Sequence, residues 1–236
     1  MSKVRIYIPN EELSVNLKIE EREILHKIKD VLTLKESEKV YVFDGAGKEY
    51  VYEIGDVNRN HVLLINKQIS RQDDEIKNKI ILAIPLLKEQ KIEYILEKAT
   101  ELGVESFQPF ICERSIREMP SSEKMKRWAR IVQEATRQSE RLWIPKIEEI
   151  LAFDNLMKKD FKTKICAAID GAYIKDMKNY NKEKVLLIAG PEGDFSPQEF
   201  IKMKDNNFYF LKLSENILRA ETASVFMVGL ANYLMI

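Results

Sequence analysis

An alternation of short apolar runs and helix-like segments over residues 80–236 is the feature that most restricts the fold of this chain. Apolar runs such as Ile80–Leu86 and Val185–Ala189 are partly β-branched, which is typical of strands buried on both faces of a parallel sheet. Segments with apolar residues at helical spacing, such as 88–103, lie between them. The alternation predicts a mostly parallel sheet with helices on both faces.

The other segments of this alternation follow from the same two signals. The predicted strands are 105–112, 146–150, 164–169 and 208–213, and the predicted helices are 122–138, a helix after Ser196 and a last helix from about 221. We therefore predict a single α/β domain over residues 71–236.

Residues 1–70 have a different, β-rich pattern. The strand-like stretches on either side of Asp-Gly-Ala-Gly at 44–47 predict a hairpin, and residues 61–69 predict a further strand. One helix is predicted at 22–32 because its apolar residues share a face. We therefore predict a small β-barrel over 1–70, and the polar residues 70–79 predict a linker.

The charge of the chain is balanced, with 38 basic and 38 acidic residues, so net charge excludes no class of partner. The distribution is more informative than the total. Nine basic residues and five acidic ones lie between residues 113 and 146. A solvated helix face and a surface that contacts phosphates are both compatible with such a stretch.

Cysteine and histidine are rare. Cys112 and Cys166 lie in apolar runs outside any C-x-x-C motif, which indicates buried thiols in a reducing compartment. His26 and His61 are the only histidines, so we predict no metal site. No apolar run reaches about 18 residues and the N-terminus lacks a signal-peptide pattern, so we expect no membrane association and a cytoplasmic location.

The stretch VLLIAGPEGDFSPQEF, from Val185 to Phe200, reads as strand, loop and helix. Ser196, with Pro197 and Glu199, forms a predicted capping box that begins the helix. Glycines at a strand end allow a positive φ or the close approach of a ligand, and ligands bind at the carboxyl ends of strands in open α/β sheets. An ordinary tight turn is the alternative.

The stretch LKLSENILRAETASVF repeats this arrangement near the C-terminus. A strand ends at Leu213, and a helix begins near Ala220 or Glu221. Arg219 stands at that helix start, where the helix dipole disfavours a cation. Arg219 is therefore either a functional residue or a surface arginine paired with Glu221 or Glu215.

The last helix, AETASVFMVGLANYLMI, is apolar almost all round. Such a helix is buried on every side. Packing on a partner chain and burial within one subunit both explain the pattern.

A resemblance to a known family rests on four stretches in order: LAIPLLKEQKIEYILEKATELGVESFQPFICERS, RWARIVQEATRQSER, LLIAGPEGDFSPQEF and ILRAETA. With VFDG in the N-terminal half, these stretches make nearly the whole chain resemble the RsmE family. These are the 16S ribosomal RNA uridine-N3 methyltransferases of the SPOUT superfamily. The pairing of GPEG with ILRAETA at this separation is the specific part of the match.

The resemblance implies an RNA-binding, PUA-like β-barrel over 1–70 and a SPOUT domain over 71–236 with a C-terminal trefoil knot. It further implies that the knot loops bind S-adenosylmethionine, that the substrate is 16S ribosomal RNA in the small subunit, and that the protein is a homodimer through its C-terminal helix. The two loops singled out above fall on the knot loops. The predicted cofactor-binding residues are Ala168, Leu187, Ala189, Gly190, Pro191, Glu192, Gly193, Leu213, Ile217, Leu218, Arg219 and Thr222.

The implied reaction assigns roles to side chains of the second loop. Uridine N3 becomes a nucleophile when it loses its proton, and the negative charge then spreads onto O2 and O4. Arg219 is the predicted catalytic cation that stabilises this charge. Glu221 and Glu192 are candidate bases, with the alternative that Glu221 only caps its helix.

RNA contacts are predicted where family motifs surround basic residues. The predicted RNA-binding residues are Arg114, Arg137, Arg141 and His26, and for His26 a structural role is the alternative. Two positions depart from the family pattern. Thr33 stands where the family commonly has arginine, and Ser139-Glu140 stands where it often has Cys-Gly.

Overall fold

The computed structural model describes residues 3–76, 79–174 and 184–235. The chain forms two compact units. The first comprises Met1–Ile76 together with Ser139–Ile144, and the second comprises Lys77–Gln138 together with Pro145–Ile236.

In its described part, the first unit contains one five-stranded sheet with the order β1-β3-β4-β5-β2. Its strands are β1 (Arg5–Tyr7), β2 (Leu17–Ile19), β3 (Lys39–Phe43), β4 (Lys48–Val57) and β5 (Val62–Gln72). β1 and β3 are parallel, and the other neighbours are antiparallel. The predicted hairpin at 44–47 is confirmed as the turn between β3 and β4. The linker prediction is wrong at its start, because β5 continues through Gln72 in pairing with β4.

The helix predicted at 22–32 is divided between two helical geometries. An α-helix, α1, spans Arg22–His26, and one π-helical turn spans Lys27–Val31. Ile28 in the π turn is fully buried in the apolar core of the sheet. A short 3₁₀ turn lies earlier in the chain, at Asn10–Glu12.

Residues 139–144 belong to the first unit because their backbone bonds to the hairpin turn. The Ile144 amide donates to the Gly45 carbonyl at 3.0 Å, and the Gly47 amide donates to the Leu142 carbonyl at 3.2 Å. Two bonds of this kind attach the segment to the loop between β3 and β4.

A carboxylate is fully buried in the same unit. Glu49 on β4 accepts hydrogen bonds from Lys3 Nζ and Arg5 Nε, both at 2.6 Å, and from Arg71 Nε and Nη2 at 3.0 and 2.9 Å. The pKa of Glu49 is lowered to about 2: burial raises it, but the hydrogen bonds from these three cations lower it by more.

The second unit is an α/β domain, as predicted. In the described residues its sheet has the order β12-β10-β11-β6-β7-β8, with β9 also on β7, and every pair is parallel. The strands are β6 (Ile80–Pro85), β7 (Ser106–Ile111), β8 (Lys146–Ile147), β9 (Leu151–Ala152), β10 (Thr163–Ala172), β11 (Val185–Ile188) and β12 (Tyr209–Leu211). The helices are α2 (Glu89–Glu101), α3 (Ser122–Gln138), α4 (Phe153–Met157), α5 (Pro197–Asp205) and α6 (Ala220–Met235).

Two details of this unit differ from the sequence prediction. The strand expected at 146–150 is two short strands, β8 and β9, and α4 was not predicted. The final residue of the predicted last helix, Ile236, lies outside the described residues.

An aromatic cluster fixes the segment that follows β11. Phe195 is buried, with its ring centroid 6.4 Å from that of Phe110 and 5.9 Å from that of Phe153. The capping box at Ser196 is confirmed: its hydroxyl accepts from the Glu199 amide, and the Glu199 carboxylate accepts from the Ser196 amide. The chain is therefore held where the loop after β11 joins α5.

Candidate active site

A pocket of about 600 Å³ lies at the carboxyl ends of β11 and β12 and beside the middle of β10. β10 lies between β11 and β12 in the sheet, so the segments that follow those two strands converge beside it. The lining comes from residues 167–169, from 189–194, and from most of 213–220, with Lys91 and Ala223 completing it. The two loops predicted from the sequence therefore meet in one pocket.

The first loop turns tightly, but its glycines do not have the positive φ that one interpretation of the sequence allowed. The Asp194 amide donates to the Pro191 carbonyl at 2.9 Å, and Asp194 itself has a φ of 58°. Gly190 is required for another reason: a Cβ there would lie 2.6 Å from Asp194 Oδ1, which accepts from the Phe195 amide. Gly190 thus leaves space for the side chain that stabilises the turn.

Arg114 supports the same loop. Its Nη1 donates to the Gly193 carbonyl at 2.7 Å, and a Cβ on Gly193 would lie 3.3 Å from the aliphatic part of the Arg114 side chain. Arg114 was predicted to contact RNA, and the structure places it against the wall of the pocket.

One lysine contacts both candidate bases. Lys91 Nζ lies 3.1 Å from Glu192 Oε1 and 3.3 Å from Glu221 Oε2. Burial raises the pKa of Glu192, but hydrogen bonds from its own amide and from Lys91 lower it by more, so the net pKa is below the ordinary value. The same contacts raise the pKa of Lys91, with the Glu192 hydrogen bond as the largest cause.

Arg219 stands at the N-cap of α6, where its carbonyl accepts the first helical hydrogen bond from the Ala223 amide at 2.8 Å. The partners that the alternative interpretation offered are engaged elsewhere: Glu221 with Lys91, and Glu215 with Lys212. Within the described ranges the Arg219 guanidinium has no ion pair, and it is exposed beside the pocket.

Most of the predicted cofactor-binding residues line the pocket, and two do not. Leu187 is buried in β11 and Thr222 is exposed on α6, both outside the lining. The lining residues that were not predicted from the sequence are Lys91, Ala167, Ile169, Asp194, Ser214, Asn216, Ala220 and Ala223. All except Lys91 are next to a predicted residue in the sequence, so wider boundaries would have included them.

The other predicted RNA-binding residues lie on both units, and none of them lines the pocket. Arg137 on α3 forms a bidentate pair with Glu134, and burial lowers the pKa of Arg141 to about 10. His26 is exposed, with Nδ1 2.8 Å from Asp30 Oδ2.

The described residues contain neither a metal-binding cluster nor a membrane-spanning helix. No group of three or more His, Cys, Asp or Glu side chains there is arranged to hold a metal ion. None of the helices in those residues has the length and apolar character required to span a bilayer.

Comparison with known proteins agrees with this architecture. The model of the RNA methyltransferase domain family matches residues 74–232, and that of the RNA methyltransferase PUA domain matches residues 20–65. The chain is thus an RNA methyltransferase with a PUA domain.

Individual relatives narrow this class. Ribosomal RNA small subunit methyltransferase E of Synechocystis sp. is 32% identical, over 89% of this chain and 71% of the relative. The protein of the same name from Rickettsia conorii is 30% identical, over 94% of this chain and 91% of the relative. A crystal structure of the Neisseria gonorrhoeae enzyme bound to S-adenosyl methionine is similar over 99% of this chain and 98% of that chain, with 26% identity and a TM-score of 0.86. The chain belongs to the ribosomal RNA small subunit methyltransferase E family.

Proposed function

We propose that the protein methylates N3 of a uridine in 16S ribosomal RNA with S-adenosylmethionine as methyl donor. The observation that carries the proposal is the convergence of the GPEG and ILRAETA loops on one pocket in a chain of this family. A volume of about 600 Å³ lies in the range of pockets that enclose small ligands. The walls at Ala167, Ala168, Ala189 and Gly190 carry little or no side chain, so backbone groups are accessible to a ligand.

The side chains at the pocket support this chemistry. S-adenosylmethionine, when bound, supplies an electrophilic methyl group on a sulfonium sulfur. Arg219 provides a cation for the charge that develops on the uridine oxygens as N3 loses its proton, and it has no carboxylate partner in the described residues to compete for it. The lowered pKa of Glu192 makes that carboxylate a weaker proton acceptor. Glu221, the other candidate base, lies in the first turn of α6, outside the lining of the pocket.

RNA binding is proposed for both units. The first unit, as a PUA-like domain, and the basic residues of 113–146 would hold the ribosomal substrate. Arg137 and Arg141 remain our candidates for phosphate contacts, although the charge of Arg137 is paired with Glu134. Arg114 donates from Nη1 to the Gly193 carbonyl, so we assign it a supporting role in the pocket as well as the proposed RNA contact. His26 is exposed and contacts Asp30, and both an RNA contact and a structural role are compatible with this position.

We further propose the SPOUT trefoil knot and the homodimer. The order β12-β10-β11 supports the knot, because the last strand pairs on the far side of β10 from β11. The close passage of Gly171 against the backbone of 210–212 supports it too. For the dimer, the side chains of Phe226 and Tyr233 on α6 are 48% and 77% exposed, and an apolar surface of a partner subunit would cover them.

The product decides between this function and its rivals. Small subunits that lack the modification are incubated with the protein and labelled cofactor, and the nucleosides are identified by mass. We expect 3-methyluridine. A 2′-O-methyl nucleotide would refute the acceptor assignment, and failure of the protein to bind S-adenosylmethionine would favour a non-catalytic RNA-binding protein.

Arg219→Ala tests the electrostatic role in the same assay. We expect turnover to fall by about 10²–10³, the range for removal of one oxyanion-stabilising donor. Cofactor affinity should fall much less, because the developing charge is on the base. Arg219→Lys, which keeps a cation without the planar guanidinium, should recover part of the loss. Near-normal turnover of Arg219→Ala would contradict the role.

A further inference from the structure

Lys91 lies at the pocket, although it belongs to neither of the loops that form most of its wall. It is in the first turn of α2, about a hundred positions before the first loop in the sequence. Its ammonium contacts Glu192, in the loop after β11, and Glu221, in the first turn of α6. One cation from a third element therefore joins the two sides of the pocket.

We propose that Lys91 is a positioning residue that holds the two pocket loops in their cofactor-binding arrangement by neutralising Glu192 and Glu221. The inference rests on the proposed cofactor site, and it assigns a function to a residue outside both motifs.

The charges explain why a cation is needed there. Because the two carboxylate oxygens lie 3.1 and 3.3 Å from one nitrogen, they are at most about 6.4 Å apart. Two carboxylates at this separation disfavour joint ionisation unless a cation is close. Without Lys91, the loops would move apart or one carboxylate would take up a proton, and either change would alter the pocket.

The neighbouring charged groups do not replace Lys91. Asp194 in the first loop is an anion, and its Oδ1 is occupied by the Phe195 amide. Lys88, just before α2, lowers the pKa of Glu192 less than Lys91 does. Arg219 forms no ion pair with either glutamate in the described part of the chain. Lys91 is thus the cation that contacts both carboxylates.

The test is the affinity for S-adenosylmethionine, measured by titration calorimetry without RNA. We expect the Kd of Lys91→Met to rise about tenfold, while Lys91→Arg, which keeps the charge, stays within about threefold of the wild type. The affinity of Lys91→Met should recover as the pH is lowered, since a proton then replaces the missing cation. The wild type should not show this recovery.

Lys98→Met is the matched control. Lys98 lies two turns further along α2 and also contacts two carboxylates, Glu97 at 2.7 Å and Glu101 at 2.9 Å, but both are on α2 itself. Its removal should leave cofactor affinity within about twofold, because exposed pairs of this kind contribute little. Equal losses in Lys91→Met and Lys98→Met would overturn the proposal.

A double-mutant cycle with Glu192→Gln separates electrostatics from packing. In Lys91→Met the second change removes one uncompensated charge, so the two losses in affinity should be less than additive. Additive losses, or a folding defect in Lys91→Met that Glu192→Gln does not correct, would overturn the positioning role. If the wild type itself does not bind the cofactor, the proposed function fails; if it binds and Lys91→Met binds equally well, only the role of Lys91 fails.

Discussion

Replacing the buried carboxylate of the first unit, Glu49→Gln, should destabilise that unit by about 3 kcal/mol at neutral pH. The pKa of Glu49 is lowered from 4.5 to about 2, and a difference of one in pKa between folded and unfolded states corresponds to about 1.4 kcal/mol. Loss of one partner from a buried ion pair costs about 3–5 kcal/mol in general, which agrees with this magnitude. Glutamine keeps the size of the side chain but removes the negative charge with which Arg5, itself buried, is paired.

The stabilisation by Glu49 should also depend on pH in a defined direction. A carboxylate with a lowered pKa in the folded state stabilises the protein above its unfolded pKa, and the contribution is lost as the pH falls towards the folded value. The difference in unfolding free energy between wild type and Glu49→Gln should therefore be constant above about pH 5. It should shrink between pH 4.5 and about 2.

Urea unfolding followed by tryptophan fluorescence can assign the effect to one unit. The chain has two tryptophans, Trp143 in the first unit and Trp128 in the second. In a Trp128→Phe background the signal reports the first unit alone. Glu53→Gln on the same strand is the matched control, since Glu53 accepts an exposed hydrogen bond from Asn66, and it should change stability by less than about 0.5 kcal/mol. A Glu49→Gln effect below about 1 kcal/mol, or one independent of pH, would refute the reasoning.

Two further predictions concern the second unit. Gly171→Ala should destabilise this unit strongly in a thermal melt, because a Cβ would lie 2.6–2.7 Å from backbone atoms of 210–212, and a tolerated Gly171→Ala would contradict the close crossing. Gly229→Ala is the control: its Cβ would meet only Leu102 at 3.6 Å, so it should stabilise α6 by up to about 1 kcal/mol. Phe226→Glu should give monomers or insoluble protein in light scattering, since burying an unpaired charge at an apolar interface is costly. A monomeric wild type would contradict the dimer.

The sequence predicted best what local signals determine. The helix expected at 88–103 is α2 at Glu89–Glu101, and the helix expected after Ser196 begins at Pro197 with both bonds of its capping box. Apolar spacing and capping residues act within a few positions of the elements they specify, so one sequence contains them in full.

Features that depend on distant residues were missed. β1 and β2 have three residues each, too few for an alternating pattern to be visible, and they exist through pairing with β3 and β5. The helical pattern of the sequence identifies Lys91 only as a polar position of α2. Its contacts are with carboxylates on two other segments, which the sequence around Lys91 does not contain. The residue that carries the positive φ in the first loop, Asp194, also could not be identified from the glycines beside it.

The two departures from the family pattern coincide with unusual backbone conformations. Thr33 has a φ of 49° and Glu140 a φ of 55°, the left-handed region that disfavours residues with a Cβ by about 1–2 kcal/mol. Glycine, which the family often has at the second position, would adopt this conformation without strain. In this chain Arg71 donates from Nη2 to the Glu140 carbonyl at 3.0 Å while the same guanidinium binds Glu49. The buried Glu49 therefore fixes the arginine that holds Glu140, so Glu49→Gln should also loosen residues 139–144, and Trp143 in that segment would report the change.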